Sequence, residues 1–287
     1  TIKEIIVLQR EALNNGEIGT IREEQRELSL IDSFAIIITG VRRCGKSTLL
    51  HQLIKKQKKA YYLNFEDPRL GDFDLNDLTK IESIMEELYG KGGTYFFDEI
   101  QNVNQWEKFI RYLIDKKEKV VITGSNASLL SKELGTRLTG RHLRYELFPF
   151  SFKEFLKLKK IEPSLDSFKE YLFNGGFPEF IKRNIPEIFH ELLSDIIIKD
   201  IAVRFNIKNT NTLEKIAIFL ISNVGKEFSY NSIKKIFNVK SVQSVIDYIS
   251  FFEDAYLIFN VPRFSYSFKQ QQVNPKKIYS IDNGFSK

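Results

Sequence analysis

At 287 residues the chain is too long for one small core, and two or three domains are expected. A hydrophobic content of 43% beside 28% charged residues excludes a disordered or low-complexity chain, and a single cysteine excludes an internal disulfide and points to a reducing, cytoplasmic setting. The net charge of +6 is uneven: residues 1–150 and 151–225 carry +1 each, whereas 226–287 carry +4, an excess of the kind that meets nucleic acid or another polyanion.

No apolar run approaches the length of a membrane span, so no membrane partner is expected. The first 30 residues read as helix, from the Ile5, Ile6, Leu8 and Leu13 pattern into the charged "IREEQRELSLI". Apolar runs then alternate with helical stretches. Strands are predicted at 34–39, 59–65, 94–99, 119–125 and 141–148, with helices at 46–57, 75–90 and 105–117. That alternation implies a parallel sheet with helices on both faces, a three-layer α/β domain over residues 1–150. From 151 to 225 the pattern is helical and strands disappear, with "NGGFPEF" breaking two helices. From 226 a short helix, a tight turn and a longer helix precede two β-like runs, and "KQQQ" (269–272) reads as loop.

The stretch "GVRRCGKSTLL" carries the first chemistry. Gly40, four residues, then Gly45-Lys46-Ser47 is the spacing of a phosphate-binding loop. The glycines let successive N–H groups turn toward one anion, and the helix from Lys46 adds the positive end of its dipole. Lys46 is expected to reach the β and γ phosphates and Ser47 to ligate Mg²⁺. Val41, Arg42, Arg43, Cys44 and Thr48 complete the expected cofactor-binding loop. Cys44 reads first as a small side chain filling a loop position, and a thiol beside Lys46 and a helix start also suggests that a thiol-blocking reagent inhibits nucleotide binding and that bound nucleotide protects.

"YFFDE" is the second motif. A strand buried on both faces ends in paired carboxylates only where they meet something positive. Asp98 is expected to hold Mg²⁺, and Glu99 to polarise an attacking water. That pair favours hydrolysis over transfer to a small molecule. The guanine-reading signature of GTPases is absent, so ATP is the expected nucleotide, with ADP as its product. The next strand ends in "TGSN", placing Ser125 and Asn126 where a polar group would sense the γ-phosphate or the water.

Together these residues resemble the AAA+ P-loop ATPases. More narrowly, "GVRRCGKST", "FFDEIQNVNQWEKF", "VVITGSNASLL" and "LTGRHLRYELFPFSFKEF" are similar to an archaeal and bacterial ATPase family with a C-terminal winged-helix region, some members of which continue into a restriction-nuclease-like domain. The resemblance implies an AAA+-like domain at 1–150, a helical lid at 151–225, and a winged helix at 226–287; the sequence stops at Lys287, either because the gene is short or because this is a fragment cut before such a further domain. It also implies Lys46 and Ser47 on phosphate and Mg²⁺, Asp98 on Mg²⁺, Glu99 as catalytic base, and Ser125 or Asn126 as sensor. Arg141 in "TGR" is a candidate arginine finger, with Arg137 competing. A lid sensor arginine is left open between Arg183 and Arg204.

In the last region Ser241 is expected to cap a second helix whose buried stripe is Val242, Val245, Ile246, Ile249 and Phe252. Lys240, Ser241, Gln243 and Ser244 then face outward as candidate DNA contacts, with Lys269 at a wing tip and Asp247 nearby to oppose phosphate. Two functions follow: an ATPase that couples nucleotide state to DNA through the winged helix, or a slowly hydrolysing, nucleotide-gated switch whose winged helix binds a protein. A homo-oligomer is the partner an arginine finger acting in trans would need.

Overall fold

The computed structural model describes residues 1–23, 28, 30–71, 73, 75–125 and 140–286. The chain divides into two compact units, Thr1–Gly40 with Gly45–Leu147, and Val41–Cys44 with Phe148–Lys287.

The first unit is built on five parallel strands: β1 (Ala35–Thr39), β2 (Ala60–Asn64), β3 (Thr94–Asp98), β4 (Val120–Gly124) and β5 (His142–Glu146), in the order β2-β3-β4-β1-β5. β1, β3 and β4 are buried along their whole length, as apolar runs such as "AIIIT" and "TYFFD" demand in a sheet covered on both faces. Ile37, Tyr61, Leu63, Tyr95, Phe97 and Ile122 point to one face. There they join α1 (Ile2–Asn15), α3 (Leu75–Tyr89) and α4 (Trp106–Asp115) in a continuous core. Helix α2 (Lys46–Ile54) packs against β3 and β4, burying Leu49, Leu50 and Leu53. Register places Thr39 beside Gly124 and Asn64 beside Asp98, so the C-terminal strand ends lie together. Open α/β sheets place their ligand sites along that edge.

The second unit is helical from α5 (Phe152–Lys159) and α6 (Leu165–Asn174), each opened by a serine capping box, through α7 (Pro178–Arg183) and α8 (Glu187–Asp195). A π-helix spans Ile196–Ala202, followed by α9 (Thr210–Ile221). A three-stranded antiparallel sheet follows, with β6 (Glu227–Phe228), β7 (Ile258–Pro262) and β8 (Lys276–Ser280) in the order β6-β8-β7. Helices α10 (Tyr230–Ile236) and α11 (Val242–Asp254) lie between β6 and β7 in sequence.

Three expectations need correction. The N-terminal helix ends at Asn15, not near residue 30. Gln52, on α2, instead donates to the carbonyls of Ile18 and Thr20, which ties residues 18–20 to α2. "KQQQ" lies within a helix, α12 (Phe268–Val273), because Ser267 caps it by accepting the Gln270 N–H. The third predicted strand stops at Asp98, since Glu99 turns to a left-handed φ of 50°.

Candidate active site

The phosphate loop leaves β1 through Gly40, whose φ of 151° is open only to glycine, and enters α2 through Gly45 at φ 104°. Gly45 offers no side chain to cap α2, whose N-terminus carries the positive end of the helix dipole. Lys46 is 5% exposed and its Nζ donates to the Gly40 carbonyl at 3.1 Å, which holds the ammonium over the loop. Ser47, the next residue, has a hydroxyl that acts to lower the Asp98 pKa.

Asp98 ends β3 with only 1% of its surface exposed. Burial, and then the charge of Glu99, push its pKa up to about 6, while Thr123, Ser47 and Lys46 act in the opposite sense. Its carboxylate accepts the Thr123 hydroxyl, and its charge acts on the Tyr62 phenol of β2. Burial raises the Tyr62 phenol further above its ordinary value, so it stays a neutral donor. The same Thr123 oxygen accepts the Glu99 N–H at 3.1 Å. One hydroxyl thus sets both acids: it fixes the Asp98 carboxylate and anchors the left-handed turn that aims Glu99. The Glu99 carboxylate accepts from the Gln101 amide.

A divalent cation fits this arrangement. A hydroxyl and a buried carboxylate are hard oxygen donors of the kind Mg²⁺ takes, and a positive ion would reverse the burial penalty on Asp98. Ser125 lies just beyond β4 and is 6% exposed. Asn126 and Arg137 lie outside the described residues.

The remaining loop residues cluster with the second unit. Val41 and Cys44 are fully buried. Arg42 makes a two-point pair with Asp200 of the π-helix, Nε to Oδ2 at 3.1 Å and Nη2 to Oδ1 at 2.9 Å. Arg43 approaches Asp195 at 3.4 Å and Glu179 at 3.7 Å. Cys44 has no surface for a reagent to attack, so the expected thiol sensitivity is corrected to protection by burial. Thr48 is half-buried on the first turn of α2.

Arg141 is not brought to this site. It precedes β5, where its carbonyl accepts the Ala35 N–H at the start of β1, and its Nη2 pairs with Asp115 at 2.7 Å. β1 runs from that end to the phosphate loop, so Arg141 belongs to the opposite edge of the sheet. In the second unit Ser241 caps α11 by accepting the Ser244 N–H at 3.0 Å, and the two hydroxyls bond at 2.9 Å. Gln243 donates to Asp247 at 2.9 Å. Lys240 and Lys269 are exposed.

Sequence reasoning missed Thr123, Tyr62 and Gln101. Thr123 stood in plain view in "VVITGSN", two residues before the serine that attracted notice. Strand alternation signalled only that one of its neighbours must face α2, not that register would set it beside Asp98.

Residues 32–156 match the AAA domain family, and residues 165–287 match a domain of unknown function, DUF8612. The uncharacterized protein MJ1544 of Methanocaldococcus jannaschii is 37% identical over 96% of this chain and 68% of its own length. An uncharacterized protein of Haemophilus influenzae is 32% identical over 88% of this chain, again covering 68% of the relative. Among solved structures, the replication initiator DnaA bound to AMPPCP and single-stranded DNA aligns with 88% of this chain and 91% of its own at 19% identity. The TM-score there is 0.39, a likeness too distant to assign a fold.

Proposed function

From a chain that belongs to the same family as MJ1544 of Methanocaldococcus jannaschii and carries a P-loop ATPase domain of the AAA type, we infer a Mg²⁺-dependent ATPase whose nucleotide state is coupled to DNA. The observation that carries the hydrolytic part is the meeting of Lys46, Ser47, Asp98, Glu99 and Thr123 at adjoining strand ends. Gly40 to Thr48 would wrap the phosphates, with Lys46 moving from the Gly40 carbonyl to the β and γ oxygens. Ser47 and Asp98 would hold Mg²⁺, which supplies neutralisation of phosphate charge when bound. Glu99 would orient the attacking water and take its proton, and Ser125 or Asn126 would report the γ-phosphate. Arg141, at the opposite sheet edge, would serve only a neighbouring copy.

The domain boundaries go with this reading: nucleotide domain to 150, helical lid to 225, winged helix from 226. Support for the winged helix comes from the chain order α9-β6-α10-α11-β7-α12-β8 with the antiparallel sheet order β6-β8-β7. Helix α11 would be the recognition helix. The cap that Ser241 makes by accepting the Ser244 N–H and the Gln243–Asp247 bond reduce what those side chains can offer a base, leaving Lys240 and Lys269 as the freer contacts. That same observation favours the second reading, a nucleotide-gated switch with a protein partner.

Phosphate release from MgATP, with and without duplex DNA, tests both, beside Lys46→Ala and Glu99→Gln. Turnover raised by DNA and lost in both variants supports the DNA-coupled ATPase, and its DNA affinity should fall steeply with salt. Turnover indifferent to DNA but lost in Lys46→Ala supports the switch.

A further inference from the structure

One face of the small antiparallel sheet and the loop that follows it are aromatic. Cross-strand register sets Phe259 beside Tyr279 and Val261 beside Lys277, and Lys277 in turn beside Glu227. Ile258 and Ile278 alternate onto the opposite face and are buried, so the first set points outward. There the Phe259 and Tyr279 rings stack at 5.6 Å with 16° between their planes. β7 ends at Pro262, and the chain runs on through Arg263, Phe264, Ser265 and Tyr266 before α12. Among the described residues Tyr266 and Phe264 are the two most exposed large apolar side chains, at 99% and 76%. Their rings meet edge to face at 5.3 Å. The residue between them is tied down. The Ser265 hydroxyl donates to Gln270 at 2.8 Å and accepts the Ser267 N–H at 3.1 Å, and the Ser265 carbonyl accepts from Gln271 at 2.6 Å. The backbone that presents both rings is thereby fixed to α12.

A single exposed ring needs no explanation, but rings clustered along one strand and an anchored turn do. The charge around them indicates what covers them. Arg263, Lys269 and Lys277 are all exposed, and residues 226–287 carry a net +4. Glu227 is the acid on this face, and register sets it against Lys277. The fitting occupant brings flat apolar surfaces and negative charge together. Single-stranded nucleic acid does so, because its bases stack on aromatic rings while its phosphates meet the cations. A duplex offers base edges and phosphates instead, since its base faces are already stacked on one another. We propose that Phe264 and Tyr266, with Arg263 beside them, form a stacking platform for single-stranded nucleic acid, a surface separate from the helix α11 that would meet a duplex.

The inference rests on the reading of residues 226–287 as the DNA-binding part of the chain. Fluorescence anisotropy of the full chain tests it, with labelled oligo(dT) of about 20 nucleotides and a labelled duplex of equal length. Phe264→Ala combined with Tyr266→Ala should weaken oligo(dT) by about tenfold or more and the duplex far less. Both side chains are exposed, so that variant should melt near the wild type. Its salt dependence should keep the wild-type slope, because stacking releases no counterions, whereas Arg263→Gln should lower the slope by about 0.7. Tyr266→Trp should keep the affinity, and its emission should fall as oligo(dT) binds, against the buried Trp106. Unchanged oligo(dT) affinity in the double variant, or unaltered emission in Tyr266→Trp, overturns the proposal. So does a wild-type dimer in sedimentation that the double variant breaks while oligo(dT) affinity stays intact, since this face then covers a second copy. If wild type binds neither probe, the DNA reading itself fails and takes this inference with it. If duplex binding depends on Lys240 while oligo(dT) binding is indifferent to the two rings, only this inference falls.

Discussion

Asp98 in the first unit and Asp282 in the second are nearly the same object electrostatically. Each is buried, and burial is the main cause that pushes each pKa up to about 6. They differ in what holds them. Asp98 faces the Thr123 and Ser47 hydroxyls and the Lys46 ammonium, groups that can turn toward a ligand. Asp282 accepts the backbone N–H groups of Gly176 at 2.6 Å and Gly284 at 2.8 Å, donors that cannot turn away. Gly175 leaves the room, since a Cβ there would lie 1.8 Å from the carboxylate. The contrast teaches that a buried acid with a raised pKa is not by itself a site. What decides is whether its partners can be exchanged for a cation or are fixed in the chain.

Five measurements would break or sharpen this contrast. The largest effect is expected from Asp98→Asn: loss of turnover by about 10³-fold, roughly 4 kcal/mol, with an apo melting temperature no lower than wild type. Asp282→Ala should do the reverse, lowering stability by roughly 2–4 kcal/mol as two buried N–H groups lose their acceptor, with MgATP affinity unchanged by titration. Thr123→Val, close in shape, should reduce kcat by about 10–100-fold, because it loses the bond to Asp98 and the anchor of Glu99 together.

Next comes pH. Both acids bind a proton more tightly folded than unfolded, so the apo protein should lose stability as pH rises from about 4 to about 6 and level off above. Asp282→Asn should flatten part of that slope, and chemical denaturation at fixed pH values would show it. Smallest is Ser241→Ala, expected to cost about 1 kcal/mol of stability through the lost cap. A DNA affinity that falls far more than the stability loss accounts for would return Ser241 to the DNA-contact role.

Much of the first unit was legible because its signals are local. A buried parallel strand is a run of apolar residues, and a phosphate loop is a fixed spacing of glycine, lysine and serine; both are written in adjacent positions. The five strands and α2 to α4 fall within a few residues of where periodicity placed them. What the sequence could not give were the partnerships made across the fold. Asp282 is held by Gly176, 106 residues away, a partnership that no local pattern announces. Arg42 read only as a member of the cofactor-binding loop because Asp200 is 158 residues away. Thr123 became the hinge between Asp98 and Glu99 through sheet register, and residues 18–22 reached α2 because Gln52 ties them there rather than letting the first helix run on. The sequence by itself determined the chemistry available at the loop and at the acidic strand end, since that chemistry depends on residue type and short-range spacing. Only the tertiary structure decided which buried charges are exchangeable and which are bolted in place, because the cost of burying a charge is set by partners that folding alone brings within reach.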